Sequence, residues 1–215
     1  LELLHLFMLV HDDVADRAPT RRGGPSLHHL LGEGKAADDQ AVVLGDHLYA
    51  RAVETMLASE LPRAAAATRY LMAICRHTAA GQFLDLQLSR APLGEVTVFQ
   101  VLKVAHLKTA RYGFVGPLVA GALLGGGSSG LQEQLERAGR HLGLGFQLRD
   151  DLLGLFGDDA HLGKHGGGDF QEGKRTFPVV AAWTRADAAG REALEALWDL
   201  EEKGPAELAR ARALV

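Results

Sequence analysis

Two aspartate clusters hold most of the reactive chemistry in this chain: HDDVAD at 11–16 and RDDLLG at 149–154. Asp12 and Asp16 stand four residues apart, so on a helix their carboxylates leave one face a turn apart and both reach a single hard cation. Asp150 and Asp151 repeat the theme far along the sequence. Each cluster borders an apolar stretch, LELLHLFMLV or LGLGFQL, where an ionised carboxylate without a partner is strongly unfavourable. Each is also followed by a glycine-bearing basic loop. APTRRGG brings Arg21 and Arg22 close behind Asp16, and HLGKHGGGDFQEGKRT brings Lys164, Lys174 and Arg175 behind Asp151. One Asp-Asp pair alone is satisfied by a solvated helix face or a cap, and one cation alone by a surface ion pair. Two such clusters with cations downstream point instead to Mg²⁺ bridged to a diphosphate. Mg²⁺ keeps several waters and takes one or two carboxylates plus phosphate oxygens. Arg supplies a planar fork, Lys a point charge, and glycine a close backbone approach. EF-hand spacing and zinc-type His/Cys groupings are absent from the sequence.

Helices must position these groups. Apolar residues recur at three- and four-residue intervals over 1–17, 36–59, 63–89, 95–110, 113–124, 130–156, 173–186 and 190–202, and strand alternation is scarce. Breaks fall at APTRRGGPS, LGEGK, ELP, RAPLG, GGGSSG, the Gly-rich stretch 157–173 and EKGP, each with residues that end helices. The triple glycine at 125–127 lacks flanking cations and reads as an ordinary interhelical connection. The expectation is one all-α domain over 1–215. With 47% hydrophobic residues, such a chain buries one sizeable core. A net charge of −4 argues against general nucleic-acid binding, which needs a basic face. The solitary Cys75 reads as a buried helix residue in a reducing compartment. The run GFVGPLVAGALLGG is too short and broken for a membrane span, no signal-peptide pattern is found, and the chain begins inside an element already under way.

These residues carry a family resemblance. ELLHLFMLVHDDVADRAPTRRGGPS resembles the first aspartate-rich motif of the trans-isoprenyl diphosphate synthases, the polyprenyl synthetase family. GFQLRDDLLGLFGDDAHLGKHGGGDFQEGKRT resembles the second, with its lysine-bearing loop. LKTARY resembles the family's Lys-Thr motif, and LGDHLYARA and AAGQFLDL match in kind and order. The resemblance implies the isoprenoid synthase helical bundle around a central cavity, with the aspartate motifs facing each other at its mouth. It implies Asp12, Asp16 and Asp150 as principal Mg²⁺ ligands, with Asp13 and Asp151 supporting them. Arg21, Lys108 and Lys164 would grip the allylic diphosphate, Arg22 would face isopentenyl diphosphate, and Lys174 would add charge at the leaving group. Thr109 and Gln147 would present oxygens to a developing carbocation, although a satisfied interior amide is the plain alternative for Gln147. A cytoplasmic homodimer is likewise implied by resemblance.

The chemistry implied is Mg²⁺-dependent condensation of isopentenyl diphosphate with an allylic diphosphate. Fixed cations suit the departing diphosphate and a dry apolar cavity lined by Leu3, Leu4, Phe7 and Met8 suits the hydrocarbon. Phe7 stands five residues before Asp12, about 7.5 Å deeper on the helix, and Met8 one turn below the aspartates. A bulky aromatic flooring the tunnel favours short products, C20 geranylgeranyl diphosphate over C15; plain core packing of Phe7 is the alternative. Two departures stand out. Gly154 replaces a third aspartate that many members carry, which removes any metal or water contact from that position. The family's N-terminal Gly-Lys-Arg segment has no counterpart before Leu1, which implies a truncated chain or one that alone binds both substrates poorly. A class I terpene cyclase, or a noncatalytic subunit of a heteromeric synthase, would share parts of this pattern.

Overall fold

A computed structural model describes residues 1–157 and 167–215. Those residues are all-α apart from one two-stranded ladder, as the periodicity implies. Packing divides them into two compact units, residues 1–69 with 123–126 and residues 70–122 with 127–215.

In the first unit, helix α1 (Glu2–Ala15) packs on α3 (Lys35–Leu57), with the short α2 (Leu27–Leu31) beside them. The approach of α1 to α3 is set by Gly45, because a side chain there would run into the His11 ring. His11 lies on that glycine with Nε2 3.0 Å from the Val42 carbonyl and 3.6 Å from Asp46. Between α1 and α2 the basic loop, expected as a simple break, is a small hairpin. Strands β1 (Thr20–Arg21) and β2 (Gly24–Pro25) pair antiparallel, with Arg21 opposite Gly24. The two turn residues, Arg22 and Gly23, have φ of 51° and 79°, the positive pair a type I′ turn requires. Glycine meets that demand freely, and Arg22 meets it at the cost of a left-handed backbone.

In the second unit, α4 (Ala64–Leu88, its first turns counted with the first unit) leads to α5 (Val98–Val104), which starts at a Thr97–Gln100 capping box. Helix α5 does not stop where a break was expected near Gly113. It passes into a π-helical segment, Ala105–Val115, and continues as α6 (Gly116–Leu124). The widened turns of the π segment absorb extra residue without ending the helix. Helix α7 (Ser129–Phe156) lies against this segment through glycines. A Cβ on Gly143 would sit 2.6 Å from Ala110 Cβ, and one on Gly139 3.0 Å from Val115. The end of α7 is capped by Arg212, which donates to the carbonyls of Leu155 (2.7 Å) and Gly157 (3.1 Å).

The core of this unit joins Leu88, Val101 and Leu155 to Val179, Val180, Leu194, Leu197 and Trp198. They belong to α4, α5, α7, α9 (Phe177–Arg185) and α10 (Ala188–Trp198). Short α8 (Gly168–Gln171) adds Phe170, edge-on to Trp198 at 4.9 Å. Full burial of such side chains contributes about 1.5–3 kcal/mol each. Helix α11 (Pro205–Leu214) lies beyond the expected helices. Cys75 is half-buried on α4, and no helix among the described residues is long and apolar enough to cross a membrane.

Candidate active site

On α1 the neighbouring aspartates Asp12 and Asp13 have different fates, since one residue is about 100° of helix rotation. Asp13 is buried, 4% exposed, and accepts from Arg21 through Nε at 2.7 Å and again through Nη2. Asp12 and Asp16 are half-buried, and Asp16 closes the helix with its amide donating to the Asp12 carbonyl at 2.8 Å. Arg21 Nη2 also stands 3.8 Å from Asp12. Burial alone would favour loss of the Arg21 proton, but Asp13, Asp12 and Asp16 outweigh it and raise the guanidinium's pKa. Arg22, at the hairpin turn, is exposed and reaches His5 Nε2 at 3.2 Å. Phe7 is half-buried, edge-on to His11 at 4.8 Å and 5.1 Å from the Tyr49 ring; Met8 beside it is half-buried too.

The second cluster repeats the division on α7. Asp150 is exposed, whereas Asp151 is 5% exposed and both its oxygens accept hydrogen bonds. Gln147 Nε2 donates to Oδ1 at 2.7 Å, and the Phe177 amide, at the start of α9, donates to Oδ2 at 3.2 Å. The other end of the Gln147 amide accepts from Thr109 Oγ1 at 2.5 Å. One residue earlier in the π segment, Lys108 Nζ is 2.9 Å from Asp85 of α4. A Cβ on Gly81 would lie 2.7 Å from the Lys108 amide nitrogen, so the absent side chain lets the lysine's backbone come close. Burial pushes the Asp151 carboxyl up; bonds from Gln147 and Phe177 resist, and Asp150 and Asp85 add to the rise.

Asp85 and Asp169 join the site beyond the residues expected from sequence. Asp85 stands in AAGQFLDL, where an acid on a largely apolar helix signals a cation partner. Asp169, on α8, fills the space beside Gly154: a Cβ there would lie 2.6 Å from its Cγ. The position that lacks a third motif aspartate is therefore occupied by a carboxylate from elsewhere. Burial lifts Asp169 to about 7, with Lys174 opposing and Asp151, Glu172 and Asp150 adding. Lys174 Nζ stands 2.7 Å from Glu172. Arg175 is not available to an anion as its loop suggested. It is 9% exposed and built into the fold, donating to the carbonyls of Ala91 and Gly173 and to Asp199. Lys164 lies outside the described residues.

Among the described residues, no three His, Cys, Asp or Glu side chains gather as a ready-made metal cage. The donor set fits Mg²⁺ in another way, since this ion needs only one or two carboxylates when phosphate oxygens and water complete its shell. The residues that would hold it are the half-buried Asp12 and Asp16 and the exposed Asp150. Burial chiefly raises Asp151 and Asp169, and the neighbouring carboxylates add to it, so the second cluster favours added positive charge.

Comparison with known proteins gives one answer throughout. The sequence profile of the polyprenyl synthetase family matches residues 1–215. A geranylgeranyl diphosphate synthase of Mycobacterium tuberculosis is 41% identical over 219 residues, covering 100% of this chain and 59% of that protein. A (2E,6E)-farnesyl diphosphate synthase of Mycobacterium bovis is 36% identical over 204 residues, covering 95% of this chain and 54% of that protein. The crystal structure of geranylgeranyl pyrophosphate synthase from Corynebacterium glutamicum, complexed with isoprenyl diphosphate and magnesium, superposes with a TM-score of 0.89 at 31% identity. That match covers 99% of this chain and 63% of the other. The chain thus spans less than two thirds of the length of each of these proteins. With the family's profile matched from first residue to last and its fold shared, the chain belongs to the polyprenyl synthetase family.

Proposed function

We propose that this chain forms the catalytic part of a trans-prenyltransferase that joins isopentenyl diphosphate to an allylic diphosphate, giving a short all-trans product, C20 geranylgeranyl diphosphate. The carrying observation is the repeated division within the aspartate pairs. Asp13 and Asp151 are buried and bonded to the protein, whereas Asp12 and Asp16 are half-buried and Asp150 is exposed. In this reading the latter three face one shared diphosphate. Mg²⁺, when bound there, neutralises the charge that develops on the leaving group. Arg21 is held in place by Asp13 and contributes fixed positive charge beside the same carboxylates. Lys108, Lys164 and Lys174 add to it, and Arg22 serves the second diphosphate. The Lys108–Asp85 pair keeps the ammonium oriented before substrate arrives.

Thr109 and Gln147 present oxygens to the allylic cation as its carbon–oxygen bond breaks. The isopentenyl double bond attacks that cation, and a proton passes to the departing diphosphate. Each 1.4 kcal/mol or so of transition-state stabilisation is about tenfold in rate. Phe7, set against His11 and Tyr49, limits the tail. The resemblance carries the homodimer as the working assembly.

The test is incubation of the full-length protein with isopentenyl diphosphate and dimethylallyl, geranyl or farnesyl diphosphate, with and without Mg²⁺, followed by chain-length analysis. Mg²⁺-dependent C20 product is expected. Cyclic hydrocarbons from one prenyl diphosphate, or activity only after a second chain is added, would overturn the reading.

A further inference from the structure

Asp151 ends a chain of three hydrogen-bonded side chains whose donors and acceptors are fixed in sequence. The Phe177 amide can only donate, so Asp151 Oδ2 accepts, and Asp151 Oδ1 accepts in turn from Gln147. An ionised Asp151 only accepts, so Gln147 then turns its NH₂ toward Asp151 and its oxygen toward Thr109. The Thr109 hydroxyl, 2.5 Å from that oxygen, then spends its proton there and keeps its lone pairs for another neighbour. A four-residue separation on α7 puts Gln147 and Asp151 on one face, which is what lets the pair form.

We propose that Asp151 is a positioning residue for prenyl transfer, acting through Gln147 to set the polarity of the Thr109–Gln147 pair rather than as a ligand of the metal. The inference rests on the prenyl-transfer reading and deepens it. Oxygen lone pairs stabilise an allylic cation and N–H or O–H protons oppose it, so the direction of this chain matters more than its presence. If the amide were reversed, its protons would face Thr109, and the hydroxyl proton would be released toward the reacting carbon. Asp150, exposed beside it, is left for the ion.

Asp151→Asn keeps the shape but allows the reversed arrangement, because an asparagine can donate to Gln147. Gln147→Glu combined with Asp151→Asn exchanges the donor and the acceptor, keeps the net charge, and restores an acceptor-only group beside Thr109. Steady-state elongation should show kcat lowered by about 10²-fold in Asp151→Asn, with the Mg²⁺ half-saturation unchanged, and most of kcat recovered in the double variant. Calorimetric binding of Mg²⁺ with inorganic pyrophosphate should match wild type in both, and weaken in Asp150→Asn.

Weakened Mg²⁺–pyrophosphate binding in Asp151→Asn, or a folded double variant as slow as the single one, overturns the inference. If Asp151→Asn fails to fold, the double variant decides by itself, since active protein supports the chain of bonds and folded inactive protein refutes it. Wild-type protein that elongates nothing would sink the prenyl-transfer reading instead, and the pyrophosphate titration would still decide whether Asp151 contacts the ion.

Discussion

Gly81 lies against the backbone of Lys108, one helical turn before Asp85, whose carboxylate meets that lysine's ammonium at 2.9 Å. The same relationship recurs on α7, where Gly143 touches Ala110 one turn before Gln147, which accepts from Thr109. In each case a missing side chain brings the π segment close enough for the polar residue four positions on to reach it. Gly81→Ala should therefore cost about 1–3 kcal/mol through overpacking and should lower prenyl transfer by loosening Lys108. Gly121→Ala, in open space on α6, should instead be neutral or stabilising by up to about 1 kcal/mol. Urea denaturation of both variants, with kcat beside it, checks the contrast.

Restoring the absent motif aspartate should harm this protein. Gly154→Asp would force its side chain into the volume held by Asp169 and add negative charge beside Asp151 and Asp150. Loss of stability and of activity is expected, with partial recovery in Gly154→Asp combined with Asp169→Gly. A stable, faster Gly154→Asp enzyme in thermal denaturation and turnover assays would show that the two positions are independent.

Much of this arrangement could be read from residue order and spacing. The four-residue separations of Asp12 from Asp16 and of Gln147 from Asp151 announce shared helix faces; Asp12 lies on α1 with Asp16 as its cap, and Gln147 and Asp151 both lie on α7. The π segment is not legible in AHLKTARYGFV, whose composition does not separate widened turns from ordinary helix. The Arg22–Gly23 turn was hidden because arginine is not a residue that favours positive φ. Helix α11 is not legible in the sequence because ELARARAL mixes Ala and Arg without a clear apolar stripe. Arg175 looked like an anion ligand because sequence cannot show that its partners, Ala91 and Asp199, lie far away along the chain.

Two half-buried groups give opposite pH signatures. Asp169 has a folded pKa raised from 3.8 to about 7, chiefly by burial, so its contribution to stability is full below pH 3.8 and is lost as pH rises to about 7. The slope from one such group is at most about 1.4 kcal/mol per pH unit. His106 is lowered from 6.5, first by burial and then by Arg111 and Arg140, so its contribution is present above pH 6.5 and is lost as pH falls through the depressed value. In denaturation at pH 5 and 7.5 without metal, Asp169→Asn should lose less stability than wild type on going to the higher pH. His106→Gln should lose less on going to the lower one. Curves that superpose for all three proteins would contradict both assignments.

Phe7→Ala should lengthen the product. The substitution removes ring contacts to His11 and Tyr49, about 1 kcal/mol of pairing, and opens space below Met8. Chain-length analysis should show products beyond C20 with isopentenyl diphosphate in excess. An unchanged product would mean that Phe7 serves only to pack α1 on α3.

Under the proposed function, Asp12 and Asp150, far apart in sequence, would hold one metal-bound diphosphate together. A double-mutant cycle on Asp12→Asn and Asp150→Asn, read by calorimetric binding of Mg²⁺ with inorganic pyrophosphate, tests it most directly. The account predicts strong non-additivity, with the second substitution costing far less once the first has been made. Additive losses, or pyrophosphate binding untouched by either substitution, would contradict it.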